Sequence, residues 1–403
     1  MNLLHFIRLF FCLFCIATYV SCNKPTQDPS LTIKKIGSDQ LMTLNFKEIQ
    51  DSIQIKLSDF ATDFQFIPLE TRPECLLQYS WCLVTRNYIL NHAGEAGILQ
   101  FSREGKFIRK LVSYGKGPIE VERSFSEAVD EENQVFILSS SGKAGYFMSF
   151  DLNSGTYLKN IPNAIPSYTR NMLLSKNRDL LCVPNKKPET GQPSDLIYRQ
   201  TLDGKLIGGI HGPPGNIIKK GSTLYQFENE FRFSQMDDDT LFTVGQDKLK
   251  PYLAYNYGEP NPIGIDKVGY KRTSVVFEAK NFIFMSLFKI IGYEKSGSGS
   301  SFQSSSRGSV TWFCLDKAKR KVFLMKDIYN DFIGAGIQSQ NIQAQPDGTI
   351  VMSYQAVDLK EIAEKALADP KTPPDIRQRM AKINMEVKAD DNPVLIVGKL
   401  KTK

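Results

Sequence analysis

Three arginines carry the most usable chemistry in this chain. Arg123, Arg170 and Arg232 each stand near the start of a short apolar run, at comparable points of a recurring pattern. A guanidinium is a rigid fork of N–H donors, so three of them around one opening would hold carboxylate or sulfate groups. Each also has an ordinary explanation: Glu122 and Glu230 are close by, and exposed ion pairs are common and mostly inert. Tyr168, Tyr225 and Phe227 lie near the same positions. Aromatic faces of that kind stack on sugar rings when they are not simply core.

The other constellations are weaker. Of three histidines, His5 lies in an apolar leader, while His92 and His211 sit in turn-like segments and read as surface loop residues. The acids Asp237, Asp238 and Asp239 lack the alternating spacing of a calcium loop and read as a solvated turn. His211-Gly212-Pro213-Pro214-Gly215 is a tight loop and not a phosphate cradle, and no nucleophile elbow, P-loop or zinc-protease motif occurs. A glycosidase needs two carboxylates facing across a pocket, and the sequence singles out no such pair. It therefore names no catalytic residue, no metal ligand and no cofactor. Net charge is +7 with 23% charged residues and no long Lys/Arg run, which leaves nucleic-acid binding without support.

The elements that must position these residues are short strands. A strand, a turn and a second strand recur: Ile98–Phe101 with Lys106–Leu111, Phe147–Phe150 with Thr156–Lys159, Ile197–Gln200 with Lys205–Ile207, Tyr252–Tyr255 before Gly258, and Thr311–Cys314 with Lys321–Leu324. The turn glycines stand at 105, 155, 204 and 258, a period of about 50 residues that suits a four-stranded propeller blade. Five hairpins and an incomplete sixth predict an all-β, six-bladed β-propeller over residues 45–403. The sixth blade has Gly348–Tyr354 and Pro393–Leu400, and Phe64–Leu69 near the N-terminus is expected to supply its missing outer strand. Ser296–Ser309 reads as a flexible loop within blade 5. Helical spacing around Leu359–Ala366 and Ile376–Ile383 predicts a helical insertion at about 357–388, in the last blade.

The N-terminus reads as a lipoprotein signal. Leu9–Val20 is an apolar run too short to span a bilayer, and it ends at Ser21-Cys22. Residues 1–21 are expected to be removed, Cys22 to carry a lipid anchoring the chain to a membrane, and residues 22–44 to form a tether. Four body cysteines remain, Cys75, Cys82, Cys182 and Cys314, without C-x-x-C spacing. Cys75 and Cys82 are candidates to pair in an oxidising envelope, while Cys182 and Cys314 read as small buried hydrophobes.

Several motifs together resemble a known family, the six-bladed β-propeller lipoproteins of Bacteroidota. They are Leu57-Ser58-Asp59-Phe60, Phe66-Ile67-Pro68-Leu69-Glu70-Thr71, Gly115-Lys116-Gly117-Pro118 with Glu120, and Asp391-Asn392-Pro393-Val394-Leu395 before Lys399-Leu400-Lys401. Position 119 departs from the family pattern, with Ile where Gly is frequent. The resemblance implies the fold and a place in the cell envelope, on the outer membrane, often beside glycan-utilisation systems; it implies no catalytic residues. The function expected is that of a non-catalytic binding or scaffold protein with an anionic glycan or an envelope protein as partner. The alternative is a polysaccharide lyase or glycoside hydrolase with its site at the propeller mouth. Cys22→Ala is expected to abolish acyl labelling and release the protein from the membrane fraction; unchanged labelling would refute the lipid anchor.

Overall fold

The computed structural model describes residues 28–77, 81–185, 195–212, 222–235, 238–262, 267–296 and 303–401. Its strands form six sheets arranged as the blades of a propeller, each meandering outward from an innermost strand. Blade 1 is Trp81–Val84, Tyr88–His92, Ile98–Ser102 and Phe107–Val112, and blade 2 is Ser124–Asp130, Val135–Ser140, Tyr146–Asp151 and Tyr157–Pro162. Blade 3 runs from Thr169–Leu174 to Leu206–His211, blade 4 from Thr223–Phe227 to Leu249–Asn256, and blade 5 from Lys271–Glu278 to Lys321–Asn330. Blade 6 takes Ile342–Ala344, Thr349–Tyr354 and Val394–Leu400 from the C-terminal end and Ala61–Pro68 from the N-terminal end.

Strand periodicity explains why the blades stack. Successive side chains of a strand point to opposite faces, and here each face meets a neighbouring blade. Ile89 packs toward blade 6 while Leu90 packs toward blade 2; Ile137 and Phe136, Leu181 and Cys182, Ile283 and Phe284, and Ile350 and Val351 divide in the same way. Among the described residues there are six buried clusters, one per pair of adjacent blades. Each fully buried Phe, Leu or Ile adds roughly 1.5–3 kcal/mol, so each blade draws its stabilising burial from both neighbours.

The predicted closure is present. Ala61–Pro68 pairs antiparallel with Val394–Leu400, including Ile67 opposite Leu395 and Phe66 opposite Ile396. Buried Asn392 locks the seam from the side. Its amide donates to the carbonyls of Glu70 (2.7 Å) and Cys75 (2.8 Å), its Oδ1 accepts from Leu77 N (2.9 Å), and its own N–H donates to Thr71 Oγ1 (2.8 Å). Glu70 reaches across to blade 1, accepting from Phe107 N (2.8 Å) and donating its N–H to the Gly105 carbonyl (2.8 Å). Gly105 has φ +83, and a side chain there would collide with the Pro68 carbonyl. The Pro-Leu-Glu-Thr and Asp-Asn-Pro motifs are thus the two halves of one seam.

The helical insertion is Ala356–Ala368 and Pro374–Glu386, and its Leu359, Ala363, Ile376, Met380 and Ile383 join the core between blades 5 and 6. Pro374 at the first turn suits a position whose N–H has no helical partner.

Three expectations need correction. Strands begin at Leu31, inside the span read as a tether: Leu31–Ile36 and Asp39–Asn45 form a hairpin, and the latter runs parallel to the outer strand of blade 4. Ser52–Lys56 likewise lies parallel to the outer strand of blade 5. Parallel addition leaves no turn signature in the sequence, and the exposed Lys34 and Lys35 of the edge strand make it look unfolded. Second, Gln303–Ser309 is not loop but the extension of a long hairpin, paired with Lys289–Ser296; backbone pairing needs no apolar side chains, and residues 297–302 lie outside the described ones. Third, Cys75 and Cys82 are both buried and free, as are Cys182 and Cys314. Cys75 Sγ donates to the Glu70 carbonyl (3.1 Å), and Cys82 Sγ accepts from Asn91 (2.8 Å), with burial pushing the Cys82 thiol up to about 12. Cys22 lies outside the described residues.

Asn392→Ala strands two buried carbonyls and one N–H, and is expected to lower the unfolding free energy by about 3 kcal/mol in a urea titration. Met385→Ala, at a side chain 81% exposed, should change it little.

Candidate functional site

A cavity of about 1130 Å³ runs along the propeller axis, lined by innermost-strand residues of all six blades, from Leu83 in blade 1 to Ala344 in blade 6. The innermost strands all start at the same end of the ring, so residues at those starts form one mouth. Arg123 immediately precedes the innermost strand of blade 2, and Arg170 is the second residue of that of blade 3. Both line the cavity. Exposed Trp81 and Phe125 line it beside them, 59% and 37% exposed. Tyr168 does not line it; half-buried, it backs Phe125 with ring centroids 5.4 Å apart.

Arg232 is elsewhere. It sits on the second strand of blade 4, Glu230–Ser234, and its side chain is buried. Its guanidinium lies over the Tyr252 ring (3.9 Å), donates to Thr243 Oγ1 (2.7 Å) and pairs with Glu230 (2.7 Å). Its Nε is 3.6 Å from Glu278, an ion-pair contact too long for a hydrogen bond. Glu278, the last residue of the innermost strand of blade 5, also accepts from Lys317 Nζ (2.7 Å), Tyr252 (2.8 Å) and Tyr225 (3.1 Å). Burial, reinforced by the Glu278 charge, pushes both phenols up, so they stay protonated donors. This is an internal clamp between blades 4 and 5, and it has no guanidinium to spare for a ligand.

The mouth around Arg123 is built by the Gly115-Lys116-Gly117-Pro118 loop. Glu120 folds back to accept from Gly117 N (2.9 Å), and a side chain at Gly115 would strike its carboxylate. Lys143 of blade 2 crosses over and donates to the carbonyls of Pro118 and Glu120 at 2.7 Å each. Gly115 N donates to Val121 O (2.9 Å) and Val121 N to Ser113 O (3.1 Å), which fixes the two ends of the loop, Tyr114 and Arg123, beside the channel.

Among the lining residues that escaped the sequence reading, His92, Tyr114 and Glu127 stand together. His92 is not a surface loop residue: it ends the second strand of blade 1, opposite Trp81, and faces the cavity. Its Nδ1 is 3.1 Å from the Tyr114 hydroxyl, and its Nε2 is 2.6 Å from Glu127 Oε1. The latter contact lies off the N–H direction, so it is an ion-pair contact and not an aligned hydrogen bond. Glu127 also accepts from Ser124 (2.8 Å). Burial, then the Glu127 charge, pushes the Tyr114 phenol up to about 12. The only signal in the sequence was that His92 continues the apolar run Tyr88–Asn91 before Ala93-Gly94. His211 is exposed and pairs with Asp195 (2.8 Å) away from the channel. Asp237 lies outside the described residues, and among those described no cluster of His, Cys, Asp and Glu is placed to hold a metal.

The family model of the "Domain of unknown function (DUF4934)" matches residues 41–399. The chain belongs to the DUF4934 family. No curated protein matches this DUF4934 chain. A crystal structure of a Bacteroides fragilis protein described as exported matches it with a TM-score of 0.61, covering 90% of this chain and all of that one at 12% identity, which shows a shared fold. The WD40 repeats of RRP9 match at a TM-score of 0.42 and 9% identity, covering 88% of this chain and all of that one. The DUF4934 match spans the Asp39–Asn45 strand from residue 41 to the closing strand of blade 6.

Arg232→Met removes one member of a buried charge cluster. It is expected to destabilise the protein by about 3 kcal/mol in a denaturant titration, with Lys317 the remaining cation against Glu278.

Proposed function

We propose that this protein is a lipid-anchored envelope protein that binds an anionic ligand, an acidic glycan by chemistry, at the mouth of its central channel. One observation carries the reading: two of the channel's carboxylates are paired with cations, while the arginines at its mouth are paired with no carboxylate among the described residues. Glu278 has Lys317 and Arg232, and Asp347 has Lys399 (2.7 Å), while Glu127 stands against His92 and Glu228, at the opposite end of the channel, has no ion-pair partner among the described residues. In contrast, among the described residues Arg170 binds the amide oxygen of Asn185 (2.9 and 2.6 Å) and the Lys401 ammonium the Ser58 carbonyl, neither of them a carboxylate. The Arg123 side chain, exposed, has no ion-pair partner among the described residues. Charge therefore points into the channel without an internal counter-ion, next to the exposed rings of Trp81 and Phe125. A guanidinium over a carboxylate and an aromatic face against a sugar ring are complementary to an acidic saccharide.

The envelope part of the reading is supported by the apolar leader ending at Ser21-Cys22 and by the likeness to a protein described as exported. Calorimetric titration with polygalacturonate oligomers is the test. Binding should weaken with added salt, Arg123→Ala should lose about 10–100-fold in affinity, and Arg123→Lys nearly as much, because the fork and not the charge alone is recognised. Equal binding of a neutral dextran, or an unchanged Arg123→Ala, would overturn the proposal.

A further inference from the structure

We propose that Tyr114, His92 and Glu127 form a proton-transfer site at the channel mouth, and that it cleaves acidic polysaccharides by β-elimination at a uronate. The inference rests on the reading of the channel as an acidic-glycan site and adds chemistry to it.

The three residues come from three elements: the end of a second strand, the loop between blades 1 and 2, and the innermost strand of blade 2. All three line the cavity that Arg123 lines. Tyr114 is one residue from the Gly115 end of the loop whose other end leads to Arg123, so one rigid loop sets both groups. A mere clamp between blades 1 and 2 would need no open side; here the His92 side chain keeps 19% of its surface exposed, within the channel.

The order of the contacts assigns the roles. With its phenol pushed up to about 12, Tyr114 is protonated at neutral pH and is a weak base by itself. His92 Nδ1 is placed to take the phenolic proton, and Glu127 stands against the far nitrogen to stabilise the imidazolium that results. Arg123 would hold the uronate carboxylate and stabilise the charge that spreads onto it as the adjacent carbon loses its proton. Tyr114 Oη takes the proton from C5 while its own proton moves to His92. The C5–H electron pair forms a C4=C5 double bond, and the C4–O4 bond breaks. The departing oxygen takes a proton from Tyr114, which recovers one from His92. The products are an unsaturated uronate and a free hydroxyl on the departing chain, and the site returns to its starting state. Hydrolysis by Glu278 or Asp347 fits less well, because each is held by a cation, and Asp347 is pulled below the usual carboxylate range despite its burial.

The test uses the full mature protein with polygalacturonate, alginate and hyaluronan, following binding by calorimetry and turnover by the ultraviolet absorbance of the conjugated product. Hyaluronan or the mannuronate blocks of alginate, where the C5 hydrogen and O4 lie on one face within reach of a single tyrosine, should give the absorbing product when they bind; polygalacturonate, with these groups on opposite faces, should bind without product. Tyr114→Phe should lower kcat at least about 100-fold with affinity and melting temperature kept, and His92→Gln should lower kcat with KM little changed. Binding of hyaluronan or mannuronate-rich alginate without product, binding confined to polygalacturonate, or a Tyr114→Phe variant that turns over normally, overturns this inference and leaves the binding reading standing. If none of the three polysaccharides binds, both fall.

Discussion

Every position in the channel depends on the ring being shut. The mouth is defined by the starts of six innermost strands, and their spacing holds only if blade 6 meets blade 1. That contact is one antiparallel strand pair, Ala61–Pro68 on Val394–Leu400, with Asn392 and Glu70 satisfying the polar groups beside it. An open ring would expose two strand edges and two half-cores at once. The seam is where the chain spends buried polar groups, and their near-complete pairing is why it tolerates them.

The same economy separates structural charge from available charge. Around Glu278, two cations and two tyrosine hydroxyls enclose a single carboxylate, so nothing there projects outward unpaired. Around Arg123 the loop is held by backbone carbonyls and by Glu120, which turns its carboxylate onto Gly117 N and not onto the arginine. The arginine's freedom follows from where Glu120 is used. Lys143, which serves the loop, is likewise consumed by carbonyls, and its burial pulls its ammonium down despite Glu120 and Glu122 nearby.

The blades were legible because each repeats a turn glycine and a two-residue side-chain period, and both are local. The blade-6 closure was legible because Val394–Val397 is apolar on both faces and Phe64–Leu69 is a largely apolar run with no hairpin partner beside it in the sequence. Arg232 was misread for a physical reason: only Glu228 and Asn229 separate the innermost strand Thr223–Phe227 from Glu230–Ser234, and Glu228 takes a positive φ that no glycine announced. Without that turn the run reads as one strand with the arginine at its start. His92 was misread because Ala93-Gly94 marks a turn, and the sequence does not say on which side of the turn the ring nitrogen lies. The Tyr114–His92–Glu127 contacts join residues from two blades and the loop between them, a relation that no local pattern encodes.

The N-terminal segment has a consequence for the order of events during folding. Asp39–Asn45 adds to the outer edge of blade 4, Ser52–Lys56 to that of blade 5, and Ala61–Pro68 completes blade 6. Each of these edges is made of residues at least two hundred positions later in the chain. The segment synthesised first therefore has nothing to pair with until nearly all the rest exists, and it must settle last. Loop closures of that length make for slow folding, and a chain halted short of residue 394 would keep blade 6 unfinished with its apolar strands uncovered.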